Sequence, residues 1–353
     1  CEITENSAEH GGGAVVLDEG RLEHCELSRN WARSSGGGAY VAGTVKNCRI
    51  VQNVSSFYGG GASLSSGGLI DGCEIDANSV TSRWASGGGV YNYSDGTLRN
   101  SLLTRNQTTG YGGGIFLGVY NPPYPLVENC TIADNSAQAG AGIYSMGWAE
   151  VRNGIVYDNS PDAYRYQPGD GNIIFANTCL PAIPQVYGET CFLGPPKFLA
   201  REVGVYRLAG DSPCLNRGAN RDWMGTSADL GGTARIVGGT VDAGAYEYGG
   251  SAVGYPGGHP LSLPGTVEME DFNCGGPGLA YKDLTLANEG GQYRPRESVD
   301  ISRDSGAGNR HAIGWTKAGE WLEYTVNVVS SGTYAAEVGV AAVGAGGQFR
   351  MLF

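Results

Sequence analysis

Positive charge is scarce in this chain, and long apolar runs are missing altogether. Its 353 residues carry 23 Lys and Arg against 35 Asp and Glu, a formal net charge of −12. That balance leaves no basic stripe, so no nucleic-acid partner is expected. It also disfavours polyanionic glycans unless bound cations or a local arginine row intervene. No stretch approaches the ~18 apolar residues of a membrane helix, so no membrane span is expected. The four histidines, His10, His24, His259 and His311, are scattered without metal-ligand spacing. Neither a G-x-S-x-G nor a P-loop motif occurs. Glycine is what the chain has in excess: 60 residues, with 41% hydrophobic content, which suits a turn-dense β protein.

Within the first 160 residues a fixed register repeats. A small residue is followed two positions on by an aliphatic and five positions on by asparagine: Cys1, Ile3, Asn6; Cys25, Leu27, Asn30; Cys48, Ile50, Asn53; Cys73, Ile75, Asn78; Ser101, Leu103, Asn106; Cys130, Ile132, Asn135; Gly154, Val156, Asn159. Successive rows lie 24, 23, 25, 28, 29 and 24 residues apart, and glycine triplets at 11–13, 36–38, 59–61, 87–89 and 112–114 precede the next row. A period of this length is one structural unit stacked on its neighbours. The short alternating runs bounded by Gly, Ser and Asn are strand and turn chemistry, so the expected unit is a coil of three short strands. Parallel coils lie ~4.8 Å apart, which would stack the asparagines in one column where their amides satisfy each other. The fold class expected is all-β: a right-handed parallel β-helix, followed by an antiparallel β-sandwich.

Five of nine cysteines occupy the first row position, which calls for a small buried side chain rather than bridges between in-register neighbours. Cys179 and Cys191 enclose a Pro-rich loop and form the best disulfide candidate. Cys214 and Cys274 have no obvious partners.

The rows and triplets resemble the pectate-lyase-like β-helix superfamily, in particular repeats of bacterial surface proteins. Residues 205–248, "VYRLAGDSPCLNRGANRDWMGTSADLGGTARIVGGTVDAGAYEY", are similar to the closing segment of secreted bacterial β-helix proteins that carry exchangeable anchors. The domains expected are therefore a β-helix over 1–248, a Gly/Pro/Ser linker over 249–264, and a third unit over 265–353. That last unit, with "QYRPRESVDI" and "AGEWLEYTVNV", resembles family 6 carbohydrate-binding modules, which are jelly-roll sandwiches. The resemblance implies a structural calcium site at Glu268 and Glu270, and a sugar-stacking platform at Tyr293. Trp315, Trp321 and Tyr324 are expected in packing rather than in the site. The chain begins at a repeat cysteine and ends inside the module, so a longer extracellular or cell-surface polypeptide is expected around an incomplete sandwich, as a monomer.

For catalysis the register offers one column. The fourth position after each row start reads Glu5, Arg29, Gln52, Ala77, Arg105, Asp134, Asp158. Arg105, Asp134 and Asp158 on consecutive coils would supply a cation and two carboxylates for a lyase or a glycoside hydrolase. The alternative is a salt ladder between coils. Two functions compete: a polysaccharide-degrading β-helix enzyme targeted by its module, and a non-catalytic adhesin or stalk that displays it. Aromatic loops bearing Trp84, Tyr91, Tyr93, Tyr120 and Tyr124 could line a glycan groove or cover the helix flank.

Overall fold

The structure is a computed structural model. It describes residues 1–352 except 120, 167–171, 183–187, 189, 250–253, 256–258, 276–279, 286, 287, 295, 296, 305–309 and 341–347. A parallel β-helix occupies residues 1–193, with four short strands per turn rather than the three expected. The row strands (Glu2–Thr4, Glu26–Ser28, Arg49–Val51 and their successors) form a nine-stranded ladder that ends at Phe192–Leu193. A second ladder starts at Ser7–His10, a third at Ala14–Val16 and a fourth at Arg21–Glu23.

The fourth strand follows from the corners. The residue before each row asparagine is left-handed in every coil: Glu5, Arg29, Gln52, Ala77, Arg105, Asp134 and Asp158 have φ of 52–59°. So is the residue before each later row start: His24, Asn47, Gly72, Asn100, Asn129, Asn153 and Asn177. Each row strand is thus clipped to three residues by a left-handed corner at both ends, and no β-branched residue sits at either corner. The first glycine of each triplet turns the third corner, with φ of 57–72° at Gly11, Gly36, Gly59, Gly87 and Gly112. The third glycine is fixed by a different constraint. A Cβ on Gly38 would sit 2.7 Å from the Gly61 carbonyl oxygen and 3.0 Å from the Asn53 amide.

Inside, Leu27, Ile50, Ile75, Leu103 and Ile132 from the row ladder meet Val41, Leu64, Ile115 and Ile143 from the third and Val45, Ile70, Leu98 and Val127 from the fourth. The seven asparagines form one column. Each Oδ1 accepts the backbone N–H and the Nδ2 of the asparagine one coil earlier, from Asn6 onto Asn30 at 2.9 and 3.0 Å to Asn135 onto Asn159 at 3.0 and 2.9 Å.

The row-start position requires more than small size. Cys48 Sγ donates to the Leu22 and Lys46 carbonyls, Cys73 Sγ to Val45 and Asp71, and Cys130 Sγ to Leu98 and Glu128. Each also accepts where it can: the Cys48 N–H reaches Cys73 Sγ at 3.4 Å, and the Cys73 N–H reaches Ser101 Oγ at 3.1 Å. The column takes short X–H side chains except at Gly154, whose backbone N–H donates to Thr178, the next member. We expect Cys73→Ser to cost under about 1 kcal/mol and Cys73→Val, apolar and without a donor, about 1–3 kcal/mol; urea unfolding of the two variants checks the order.

All nine cysteines are free thiols, which corrects the expected Cys179–Cys191 disulfide. Cys179 pairs in register with Phe192 and belongs to the outer apolar cluster, whereas Cys191 joins the interior. The two side chains leave opposite faces of the sheet.

Residues 198–248 do not extend the coil. They fold back over the outer face of its last rows, where Phe198, Tyr206, Leu208, Cys214 and Ala243 pack on Leu102, Ala133, Ile155 and Cys179. The row residue one past the start explains the position of this cap. It is charged in the early coils (Glu2, Glu26, Arg49, Glu74) and becomes Leu102, Thr131 and Ile155 in the later ones. Gly244, at φ 100°, lies so close that a Cβ would come within 2.7 Å of Ile155 Cδ1 and Thr131 Oγ1. The left-handed asparagines also hold the cap: Asn153 exchanges hydrogen bonds with both the N–H and the carbonyl of Ala219.

Beyond the cap, described strands form three two-stranded ladders: Tyr281–Lys282 with Trp321–Leu322 and Ile301–Asp304 with Arg310–Ile313, both antiparallel, and Leu261–Leu263 with Val326–Val328, parallel. A core of Phe272, Ala280, Tyr281, Val299 and Ile301 lies between them. The expected linker is partly structural, since Tyr255 is buried against Ala200 and Val205 of the cap and Cys274 of the module. Residues 332–340 are exposed and make no ladder among the described residues.

Candidate functional site

The charged column is present, but its members are paired elsewhere. Arg105 does not reach Asp134; its guanidinium grips Asp76 of the preceding coil, at 2.8 Å from Nε and 2.6 Å from Nη2. Asp134 is held by Arg201 of the cap and accepts the Tyr206 hydroxyl at 2.6 Å. The same Arg201 reaches Asp158 at 2.8 Å. Burial alone would push the Asp134 carboxyl up, but the hydrogen bonds from Arg201 and Tyr206 overcome it and hold the group below its ordinary value. Tyr206 is pushed up, by burial first and then by Asp134. The arrangement clamps cap to coil, and a carboxylate so engaged is a poor general base. Arg201, from the short 3-10 turn Arg201–Val203, was not legible as a member because it lies 67 residues from Asp134.

A second polar cluster closes the cap on itself. Arg235 is fully buried, as are Glu247, Asp242 and Asp229 within a few per cent. Arg235 Nη2 donates to the Gly244 carbonyl at 2.6 Å and lies 3.3 Å from Glu247 Oε1. Asp242 accepts the Asn216 and Tyr248 N–H groups, and Asp229 accepts those of Thr233 and Glu247. Burial pushes Glu247 up to about 8, with Arg235 opposing and Asp242 reinforcing. A carboxyl raised above its unfolded value of about 4.3 binds a proton in the fold that the open chain has released. Its contribution is therefore fully present below that value and is lost as pH rises through about 8. The melting temperature should fall across that window, and Glu247→Gln should flatten the fall; a thermal melt series in pH checks both.

In the module, Tyr293 is half-buried at φ 60°. Its hydroxyl donates to Asp271 at 2.7 Å, and its ring lies 4.8 Å from His311 and 5.9 Å from Tyr255. It sits where cap, Tyr255 and module meet. Next to it, the buried Arg294 guanidinium lies between Phe272 and Tyr255, at 3.7 and 4.3 Å from their ring centroids, and pairs with Glu297 at 2.8 Å. Contrary to expectation, Trp315 and Trp321 are exposed, at 53% and 40%. Tyr324 is packed, its hydroxyl donating to the Met269 carbonyl at 2.6 Å.

Glu268 precedes the 3-10 turn Met269–Asp271, and Glu270 is buried within it. Burial pushes Glu270 up, Glu268 and Asp271 add to this, and His311, 3.7 Å away, opposes. Glu270 and Asp271, both of raised proton affinity, suit a hard dication in charge and donor type, with Glu268 next to them in the chain. Among the described residues no group of three or more His, Cys, Asp or Glu converges on one point, so other oxygens would have to complete a site. No helix of the described residues is long and apolar enough to cross a membrane.

The family comparisons fit this architecture. The family model for a right-handed β-helix region matches residues 1–180, and the chain belongs to that family. Residues 289–352 match carbohydrate binding module (family 6), a range that contains Tyr293 and begins after Glu268 and Glu270. No curated protein matches the chain.

Proposed function

We propose that this is an extracellular or cell-surface protein that binds neutral β-linked polysaccharide through its family 6 module, with the β-helix as a rigid, non-catalytic stalk. The match of 289–352 to a carbohydrate-binding family carries the binding reading. The stalk reading is favoured by the charged column, in which Arg105, Asp134 and Asp158 are all engaged by Asp76 or Arg201. Tyr293 stacks on sugar with the part of its ring that His311 and Tyr255 leave open, and Glu268 and Glu270 hold a structural calcium ion that relieves their mutual repulsion.

These roles separate experimentally. Tyr293→Phe keeps the ring and loses the bond to Asp271, so it should lower the melting temperature while retaining most of the affinity; Tyr293→Ala should lose both. Calcium at about 100 times its Kd should stabilise the chain by about 2.7 kcal/mol, and chelation should reverse this. Unchanged affinity in Tyr293→Ala, measured by affinity electrophoresis through neutral glucan and xylan gels, would remove this residue from the site. A melting temperature indifferent to calcium and chelator would remove the ion.

A further inference from the structure

The outward column of the third ladder reads Val15, Tyr40, Ser63, Tyr91, Phe116, Tyr144, Arg165. Three of its aromatic members, Tyr91, Phe116 and Tyr144, form one continuous array. Tyr91 and Phe116 lie 5.2 Å apart and 16° from parallel, Phe116 and Tyr144 5.7 Å apart and 15° from parallel. Tyr58 and Tyr111 pack on them, each at 4.6 Å, from Tyr91 and Tyr144 respectively. Phe116 and Tyr144 are buried, so they form a rigid base.

On that base, rings stand open to solvent on the third and fourth coils. Phe57, Tyr58, Tyr93 and Trp84 are 44%, 39%, 48% and 73% exposed. Tyr93 lies parallel to Tyr91 within 6°, and Gly118 makes room for it, since a Cβ there would sit 2.5 Å from Tyr93 Cδ2. Trp84 has the Arg83 guanidinium 5.9 Å above its ring. The surroundings are polar: Ser94 bonds Asn92, Ser66 bonds Asp95, and the buried Ser82 hydroxyl has no hydrogen-bond partner among the described residues.

We propose that this face is a second polysaccharide-contact surface, taking a neutral glycan chain along the solenoid axis with its pyranose C–H faces on Phe57, Tyr58, Trp84 and Tyr93. Exposed aromatic faces with a polar edge, here Ser66 and Asp95, are what a sugar ring requires, apolar on one face and hydrogen-bonding at its edge. The coil spacing of ~4.8 Å is of the order of one sugar unit, so successive coils meet successive residues. A net charge of −12 selects against polyanions. The inference rests on the carbohydrate reading of the module, and a module and a stalk face on one chain would engage the same polymer bivalently.

The test is affinity electrophoresis of the full chain through gels containing hydroxyethylcellulose, arabinoxylan or a soluble β-1,3-glucan. The Phe57→Ser/Trp84→Ser/Tyr93→Ser triple variant should bind about tenfold more weakly at an unchanged melting temperature. Trp84→Ala, which removes the most exposed ring, should show part of the loss should the triple variant melt early. Wild-type retardation in the triple variant overturns this inference and leaves the module reading standing; no retardation of the wild type in any gel removes both. A dimer seen by sedimentation that the triple variant abolishes would make the face a self-association surface and overturn the proposal.

Discussion

Replacing Asn78 with alanine is expected to cost about 3–5 kcal/mol, because the substitution leaves buried polar groups without partners at about 1–3 kcal/mol each. Asn78 Oδ1 accepts the Asn53 N–H at 2.9 Å and Asn53 Nδ2 at 3.1 Å, while its own Nδ2 donates to the Ile50 carbonyl at 2.8 Å and to Asn106 at 3.0 Å. Asn53, Asn78 and Asn106 are all fully buried, so bulk solvent does not reach the groups left behind. Asn6, exposed in the first coil, donates to Thr4 and Asn30, and Asn6→Ala should cost under about 1 kcal/mol. Urea unfolding of the two variants measures the contrast. Equal costs would mean that the asparagines act as independent local turns rather than as a column.

Above a pH of about 8, where Glu247 is charged, Arg235→Ala should destabilise the cap by about 3–5 kcal/mol, the usual effect of removing one partner from a buried ion pair. Glu247 would lose its counter-charge, and the Gly244 and Asp242 carbonyls their donor. The cap should then open while the coils stay folded, because in a solenoid each coil contacts mainly its neighbours. Limited proteolysis reads this directly: new cleavage should fall within 198–248. Arg235→Met combined with Glu247→Leu should recover only the part of the loss that comes from the unpaired Glu247 charge, since the Gly244 and Asp242 carbonyls stay without their donor. Cleavage spread over the coils instead would show that the cap and the solenoid fold as one unit.

The coil was legible because its determinants recur at fixed offsets. Left-handed corners, the asparagine column and the glycine triplets each print a residue type once per turn. The fourth strand has a trace in the sequence, asparagine directly before the row start at Asn47, Asn100, Asn129, Asn153 and Asn177, but His24 and Gly72 interrupt this column and only the shared φ shows it to be a left-handed corner. The cap left a readable trace that was passed over, the change of the outward row position from Glu74 to Leu102 and Ile155. The partners of Asp134 left none: Arg201 and Tyr206 come from a segment with no period. The column position itself favours charge for a local reason, because a left-handed corner projects its side chain from the coil. Tyr293 was readable through resemblance, whereas its contact with Tyr255 depends on a docking that no local pattern encodes.

The account stands most directly on one measurement: incubation of the full chain with each neutral polysaccharide it binds, followed by assay of new reducing ends and of the near-ultraviolet absorbance of unsaturated products. Saturable binding with neither product is the result predicted for a polysaccharide-binding stalk whose Asp134 and Asp158 are committed to Arg201. Product from any bound glycan, abolished by Asp134→Ala with binding intact, would contradict it and make the β-helix an enzyme.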